Sequence, residues 1–178
     1  MATQPVPLST QLHALGVTAA LVYSGFSFGA SYLTVPLVIP LPARHATVFF
    51  RDFFYNGATA MVPLSLLGAA ACATGSYVLR SNARSAEGVV RVLGQEVRAS
   101  TLGYIAAAAL MAGLPWTQAV MMAVNNRLIA LAADPGASDR AAAEVVDLLR
   151  QWRWMNFVRS TLGLVGGVLG LSAIVGQK

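Results

Sequence analysis

The stretch LGYIAAAALMAGLPWTQAVMMAVNNRLIALA, Leu102 to Ala132, decides the fold. From Leu102 to Asn126 it carries no formal charge, and roughly 20 mostly apolar residues in a helix cross a hydrocarbon core about 30 Å thick. Three other stretches share that character. Ala14 to Ile39 is uncharged and ends among Pro36, Pro40 and Pro42, which stop a helix or break it near the surface. Phe53 to Leu79 is also uncharged, and Phe157 to Val175 admits only Arg159, one turn inside. Inside the third stretch, Pro115 followed by Trp116 marks a kink or local adjustment. Lipid offers no partner to backbone N–H and C=O groups, so helices rather than open sheets are expected. The predicted fold is all-α: a single four-helix transmembrane domain over residues 1–178, running up-down-up-down. Its spans cover about 14–39, 53–79, 102–132 and 157–175, and both termini lie on one side.

Composition agrees. Of 178 residues, 56% are hydrophobic and 11% charged, against roughly a quarter charged in a soluble domain. Twelve basic residues against seven acidic ones would suggest nucleic acid in a soluble protein. Here the arginines are spread over short connections, so no nucleic-acid partner is expected and the bilayer is. Cys72 is the only cysteine, which excludes an intrachain disulfide, a CxxC redox pair and a thiol-based quinone oxidoreductase. Met1 to Gln11 holds no Lys or Arg, so the first apolar run reads as a retained helix rather than a cleaved signal.

Between the second and third spans, Val89, Val90, Leu93 and Val97 fall at helical spacing, with Glu87 and Arg91 as an i,i+4 pair. This predicts a short amphipathic helix over 81–100 at the interface. Between the third and fourth, Asp134, Pro135 and Gly136 make a turn, and Asp139 to Gln151 leads into the last span. Glycines at four-residue spacing, Gly25 with Gly29, Gly163 with Gly167 and Gly166 with Gly170, are candidate close-packing positions.

An up-down bundle puts connections one–two and three–four on the same side, and the polar residues gather there. Tyr32, Arg44, His45, Arg51, Asp52, Tyr55 and Asn56 come from the first connection and its helix ends. Asn125, Asn126, Arg127, Trp152, Arg153, Trp154, Asn156 and Arg159 come from the second. A charge at membrane depth usually faces protein or a water-filled cavity with a partner, so Asp52 is expected to pair with Arg159 or Arg127. Taken singly, Arg44, Arg51, Arg153, Trp152 and Trp154 also fit simple anchoring at the headgroups. With His13 and His45 far apart in this topology, a metal centre is the weaker alternative, limited to Asp52, His45 and water.

The run Val124-Asn125-Asn126-Arg127-Leu128-Ile129-Ala130, an acidic connection, and then Trp152 with Asn156 and Arg159 resembles the signature of the anthrone oxygenase-like family of four-span membrane proteins. The turn Leu114-Pro115-Trp116-Thr117 and the Gly25 to Pro36 region are similar to that family as well. Asn156 is a departure, because many members have His in the interval between that Trp and Arg.

The resemblance implies a monooxygenase of polyketide secondary metabolism: an anthrone is oxidised by O₂ at its central methylene to an anthraquinone and water. It implies no cofactor beyond O₂ as co-substrate. The chemistry needs a base, donors for the enolate oxygen and an apolar slot for flat rings. Asp52 and His45 are the candidate bases; Asn125 and Arg159 complete the catalytic set as oxyanion donors. Tyr32, Tyr55, Asn56, Asn126, Arg127, Trp152 and Asn156 are the candidate substrate-binding residues, with no metal ligands assigned. The expected partner is an aromatic polyketide, with a homo-oligomer left open, and the expected location in a eukaryote is an ER-like endomembrane. The rival reading is a non-enzymatic tetraspan protein that binds a lipid or scaffolds a pathway.

Overall fold

The computed structural model describes residues 5–82, 88–92 and 94–177. Four helices among them are long and apolar enough to cross a membrane: Leu8–Val38, Ala43–Ser81, Ala99–Ala133 and Ala142–Val175. The fold is all-α, with these helices packed up-down-up-down as a bundle.

Pro36, Pro63 and Pro115 lie within helices without ending them, whereas the first helix stops at Val38, just ahead of Pro40 and Pro42. The first comprises α1 (Leu8–Gly29), a π-helical turn over Ala30–Thr34, and α2 (Val35–Val38). Pro36 has no N–H, and its ring crowds the carbonyl four residues back. The chain widens just before it, where the Val35 N–H reaches Ala30 O. The second helix, α3 (Ala43–Ser81), runs through Pro63. The third comprises α4 (Ala99–Trp116), a π-helical turn over Thr117–Met121, and α5 (Met122–Ala133). That turn is the adjustment expected at Pro115 and Trp116, and the Thr117 hydroxyl donates to Gly113 O at 2.8 Å. The Asp134 turn proves to be a cap: its Oδ1 accepts the Ala137 N–H at 3.0 Å and starts α6 (Pro135–Arg140). Then α7 (Ala142–Val175) runs through to the end of the fourth span.

The amphipathic helix expected over 81–100 is instead an antiparallel hairpin, β1 (Val89–Val92) with β2 (Gln95–Arg98). Valines at 89, 90, 92 and 97 favour the extended chain, and Gly94 takes the left-handed turn conformation at φ +83°. Arg91 pairs across the strands with Glu96 at 3.7 Å rather than along a helix with Glu87. Glu87 and Leu93 lie outside the described residues.

Contacts divide the chain into two compact units. One gathers α1 up to Tyr23, Leu64–Ala112 and α7 from Leu162. Its helices meet through small residues, the close approach that packing in lipid favours. A Cβ on Gly16 would run into the Cys72 sulfur, and one on Gly68 would stand 2.9 Å from Ala19 Cβ. Gly166 packs on Ala106 and Leu110, and Gly170 on Val17. Gly25 and Gly29, by contrast, face open space, so the packing glycines of the first helix begin with Gly16 and not with the expected pair. Buried His13 places Nδ1 2.8 Å from Ser9 O and 3.0 Å from Gln177 Nε2, and Nε2 3.0 Å from Ser76 Oγ. Ser9 and Thr10 both donate to Gln177 Oε1, which brings the first and last helices together at that end.

The other unit comprises Ser24–Pro63 and Gly113–Thr161. Its apolar core includes Val35, Phe50, Met121, Leu128, Leu149 and Trp152. Thr47 Oγ1 meets Ser138 Oγ at 3.1 Å, and Ser138 donates to Leu131 O, so the two helix connections are tied by buried hydroxyls. Outward faces of the helices carry Leu15, Leu21, Leu37, Leu67, Val168 and Leu171 in the open, an arrangement that lipid solvates and water does not.

Candidate active site

The polar residues picked out by sequence lie in this second unit, but the structure sorts them into three groups. The first lines a groove of about 380 Å³ on α1 and α3, formed by Phe26, Phe49, Asp52, Phe53, Asn56, Gly57 and Ala60. The α3 members fall at 49, 52, 53, 56, 57 and 60, one face of a helix. Phe53 stacks nearly parallel on Phe26 at 5.7 Å and on Phe49 at 6.1 Å, so the walls are flat and apolar. Asp52 brings a carboxylate to the same groove and Asn56 an amide. The volume falls within the range of small-molecule sites.

A second group is buried. Trp152 is 2% exposed, and Asn125 and Asn156 are fully buried. The Trp152 ring meets Phe50 at 5.4 Å and Phe53 at 6.2 Å, both edge-on. It is therefore a core residue touching the groove wall, not a headgroup anchor; Trp154, 70% exposed, suits that role. Asn156 Nδ2 donates to Ser27 O at 2.7 Å and to Ser31 Oγ at 2.8 Å. Ser27 follows the groove residue Phe26, and Ser31 lies in the π-helical turn. Among the described residues, Ser27 Oγ, Asn125 Oδ1, Trp152 Nε1 and Asn156 Oδ1 are buried without a hydrogen-bond partner. Asn125 Nδ2 has only a long contact to Met122 Sδ, 3.7 Å. Arg159 is half-buried on α7; at 152, 156 and 159, Trp, Asn and Arg share one helical face.

The third group lies on the surface. Arg127 forms a two-pronged ion pair with Glu144, at 2.6 and 2.9 Å. Asp52 takes its ion pair from its neighbour, Arg51 Nε at 2.9 Å. The expected pairing of Asp52 with Arg127 or Arg159 is therefore corrected: Arg51 is nearer in the chain, and Glu144 claims Arg127. His45 and Asn126 are exposed and outside the groove lining. Tyr32 stacks on Phe28 and lies under Arg153, 5.7 Å from its guanidinium carbon, while Tyr55 packs on Phe54. Neither tyrosine lines the groove. Among the described residues, no three His, Cys, Asp or Glu side chains are grouped to hold a metal.

The family model for anthrone oxygenase matches residues 50–169. The chain belongs to the anthrone oxygenase family. Membership makes it an oxygenase, and the matched segment takes in Asp52, Phe53 and Asn56 together with Asn125, Trp152, Asn156 and Arg159. Among similar proteins, anthrone oxygenase tpcL of Aspergillus fumigatus is 31% identical over 155 residues, 85% of this chain and 86% of its own. An anthrone oxygenase of Claviceps purpurea is 28% identical over 171 residues, 93% of this chain and 89% of its own. No solved structure matches the chain.

Sequence reading missed the groove walls and the two serines. The 49, 52, 53, 56, 57, 60 spacing on α3 is a helical face, but apolar residues at such positions are equally expected where a helix faces lipid. Nothing local in the sequence connects Ser27 and Ser31 to Asn156, more than a hundred residues away.

Proposed function

We propose that this anthrone oxygenase family member oxidises a polyketide-derived anthrone to the anthraquinone with O₂ and without a cofactor, and that the Asp52 groove holds the substrate. The observation that carries this reading is a carboxylate at the edge of a slot walled by three phenylalanine rings. Flat aromatic ligands favour such walls, and a base must stand within reach of the proton it removes. Asp52 takes a proton from the central methylene, leaving an anion delocalised onto the ketone oxygen. Arg159 and Asn125 are the proposed supports for that charge. The anion passes one electron to O₂, the resulting radical pair joins as a carbon–oxygen bond, and protonation gives a hydroperoxide. Loss of water leaves the quinone carbonyl, so one anthrone and one O₂ yield one anthraquinone and one water.

The family relationship and the four apolar helices support an integral membrane enzyme, and in a eukaryotic cell we place it in an ER-like endomembrane. The test is aerobic assay of detergent-solubilised protein with emodin anthrone, following quinone absorbance and O₂ uptake together. Quinone formation well above the spontaneous rate, with equimolar O₂ consumed, is expected. A rate equal to the spontaneous one would overturn the reading.

A further inference from the structure

The groove face of α3 has two unlike edges. At about 100° per residue, Asp52 and Asn56 stand one turn apart along one edge, and Phe53 and Gly57 one turn apart along the other. The second edge adjoins Phe26 of α1, whose ring stacks on Phe53 at 5.7 Å; a Cβ on Gly57 would stand 3.6 Å from the same ring. Gly57 therefore contributes space to the groove rather than a surface. On the polar edge, Asn56 lies inside the uncharged run from Phe53 to Leu79 and is exposed on the outward face. Among the described residues its side-chain amide takes no hydrogen bond, since Thr59 Oγ1 donates to its backbone carbonyl instead, at 2.8 Å. An amide at membrane depth is costly without a partner, and this one lines the groove beside the Asp52 carboxylate.

We infer that Asn56 is a catalytic residue of this groove, its Nδ2–H donating to the substrate's ketone oxygen while Asp52 faces the methylene, and that Gly57 sets how many fused rings the groove accepts. This rests on the anthrone reading above and gives it a binding pose. Ketone and methylene stand at opposite corners of the central ring. Residues one helical turn apart have Cβ atoms about 5–6 Å apart, a spacing that lets one side chain meet each corner. The short axis of the substrate then runs along α3, and an outer ring lies over Gly57 against Phe26. Proton removal at the methylene sends negative charge to the ketone oxygen, where a fixed amide donor in a water-poor site stabilises it most. A side chain at position 57 would occupy the place of the outer ring. The ligand class is a linear three-ring ketone whose reacting carbon lies across the ring from the carbonyl.

The experiment compares unsubstituted anthrone with emodin anthrone on folded protein in detergent. In emodin anthrone the neighbouring hydroxyls already donate to the ketone oxygen; in anthrone that oxygen is free. Asn56→Leu, an apolar change that an outward-facing membrane position accommodates, should lower kcat about 10²-fold on anthrone, the loss typical of one oxyanion donor, and by a smaller factor on emodin anthrone. Infrared spectra of bound anthraquinone give a readout independent of turnover. Its two carbonyls, equal in solution, should split into a free band and a lower-frequency hydrogen-bonded one, and Asn56→Leu should restore a single band. Gly57→Leu should weaken anthraquinone binding at least tenfold and leave binding of a two-ring naphthoquinone within a few-fold. Gly57→Ala, whose Cβ would meet Phe26 at ordinary contact distance, is the milder change if leucine disturbs the helix and should give the same selectivity by a smaller factor. Wild-type kcat on anthrone in folded Asn56→Leu, an unsplit carbonyl band in the wild type, or Gly57 variants that treat two- and three-ring quinones alike would overturn the inference. Wild-type protein that shows the split band and the Gly57 selectivity yet oxidises neither anthrone would sink the oxygenase reading and keep the pose.

Discussion

Phe53 is the residue through which the groove is tested most cleanly. Its ring stacks on Phe26 and Phe49 and meets the edge of Trp152, so Phe53→Ala removes the wall common to the groove and the buried face. A flat ligand losing one aromatic neighbour loses about 1 kcal/mol of ring–ring attraction. Uncovering roughly 40 Å² of its face removes about 1 kcal/mol more at ~25 cal/mol per Å². The sum, about 2 kcal/mol, weakens binding roughly 30-fold. A buried Phe→Ala change typically destabilises by about 3–5 kcal/mol; Phe53 is only half-buried, so about half of that is expected and the fold should survive. The assay is KM for emodin anthrone and binding of emodin anthraquinone in detergent, with thermal unfolding as the folding control. Phe53→Leu, which restores bulk without the ring, should recover stability more than affinity. A folded Phe53→Ala variant with KM within twofold of wild type would refute the assignment of this groove to substrate.

Other expectations follow from the same geometry. Arg127→Met breaks only the surface pair with Glu144, so turnover should stay within a few-fold; a collapse of kcat in folded protein would return Arg127 to the site. Arg159→Met and Asn125→Leu should each lower kcat by about 10²-fold if they support the developing oxyanion, and wild-type kcat in folded variants would remove them from that role. Gly68→Val should lower the unfolding temperature sharply, because a Cβ there already stands 2.9 Å from Ala19 Cβ. Gly25→Ala, facing open space, should be neutral or raise stability by up to about 1 kcal/mol through helix propensity; equal losses for the two would contradict the small-residue packing.

The helices were legible because lipid imposes long uncharged runs, and because Pro36 and Pro115 reshape a helix locally without destroying its apolar pattern. Residues 81–100 misled because valines at 89, 90 and 97 satisfy a helical period as well as a strand, and only the density of β-branched side chains with Gly94 distinguishes them. The polar end was located correctly in outline. Its division was not, since sequence shows that Asp52, Arg127 and Trp152 approach the same end but not which of them turn outward. Arg127 turns toward Glu144, Asp52 toward Arg51 and the groove, and Trp152 inward. Partnerships as distant in the chain as Asn156 with Ser27 and Ser31 arise from packing alone.

The central claim, that oxidation begins with proton removal by Asp52 in the groove, is tested most directly by Asp52→Asn. The change preserves size and removes the base, whose contribution is typically 10²–10⁴-fold. Measured beside wild type on emodin anthrone in the same detergent, the folded variant should show kcat lowered by at least about 10²-fold, with no recovery at saturating substrate. Wild-type turnover by folded Asp52→Asn would contradict the account.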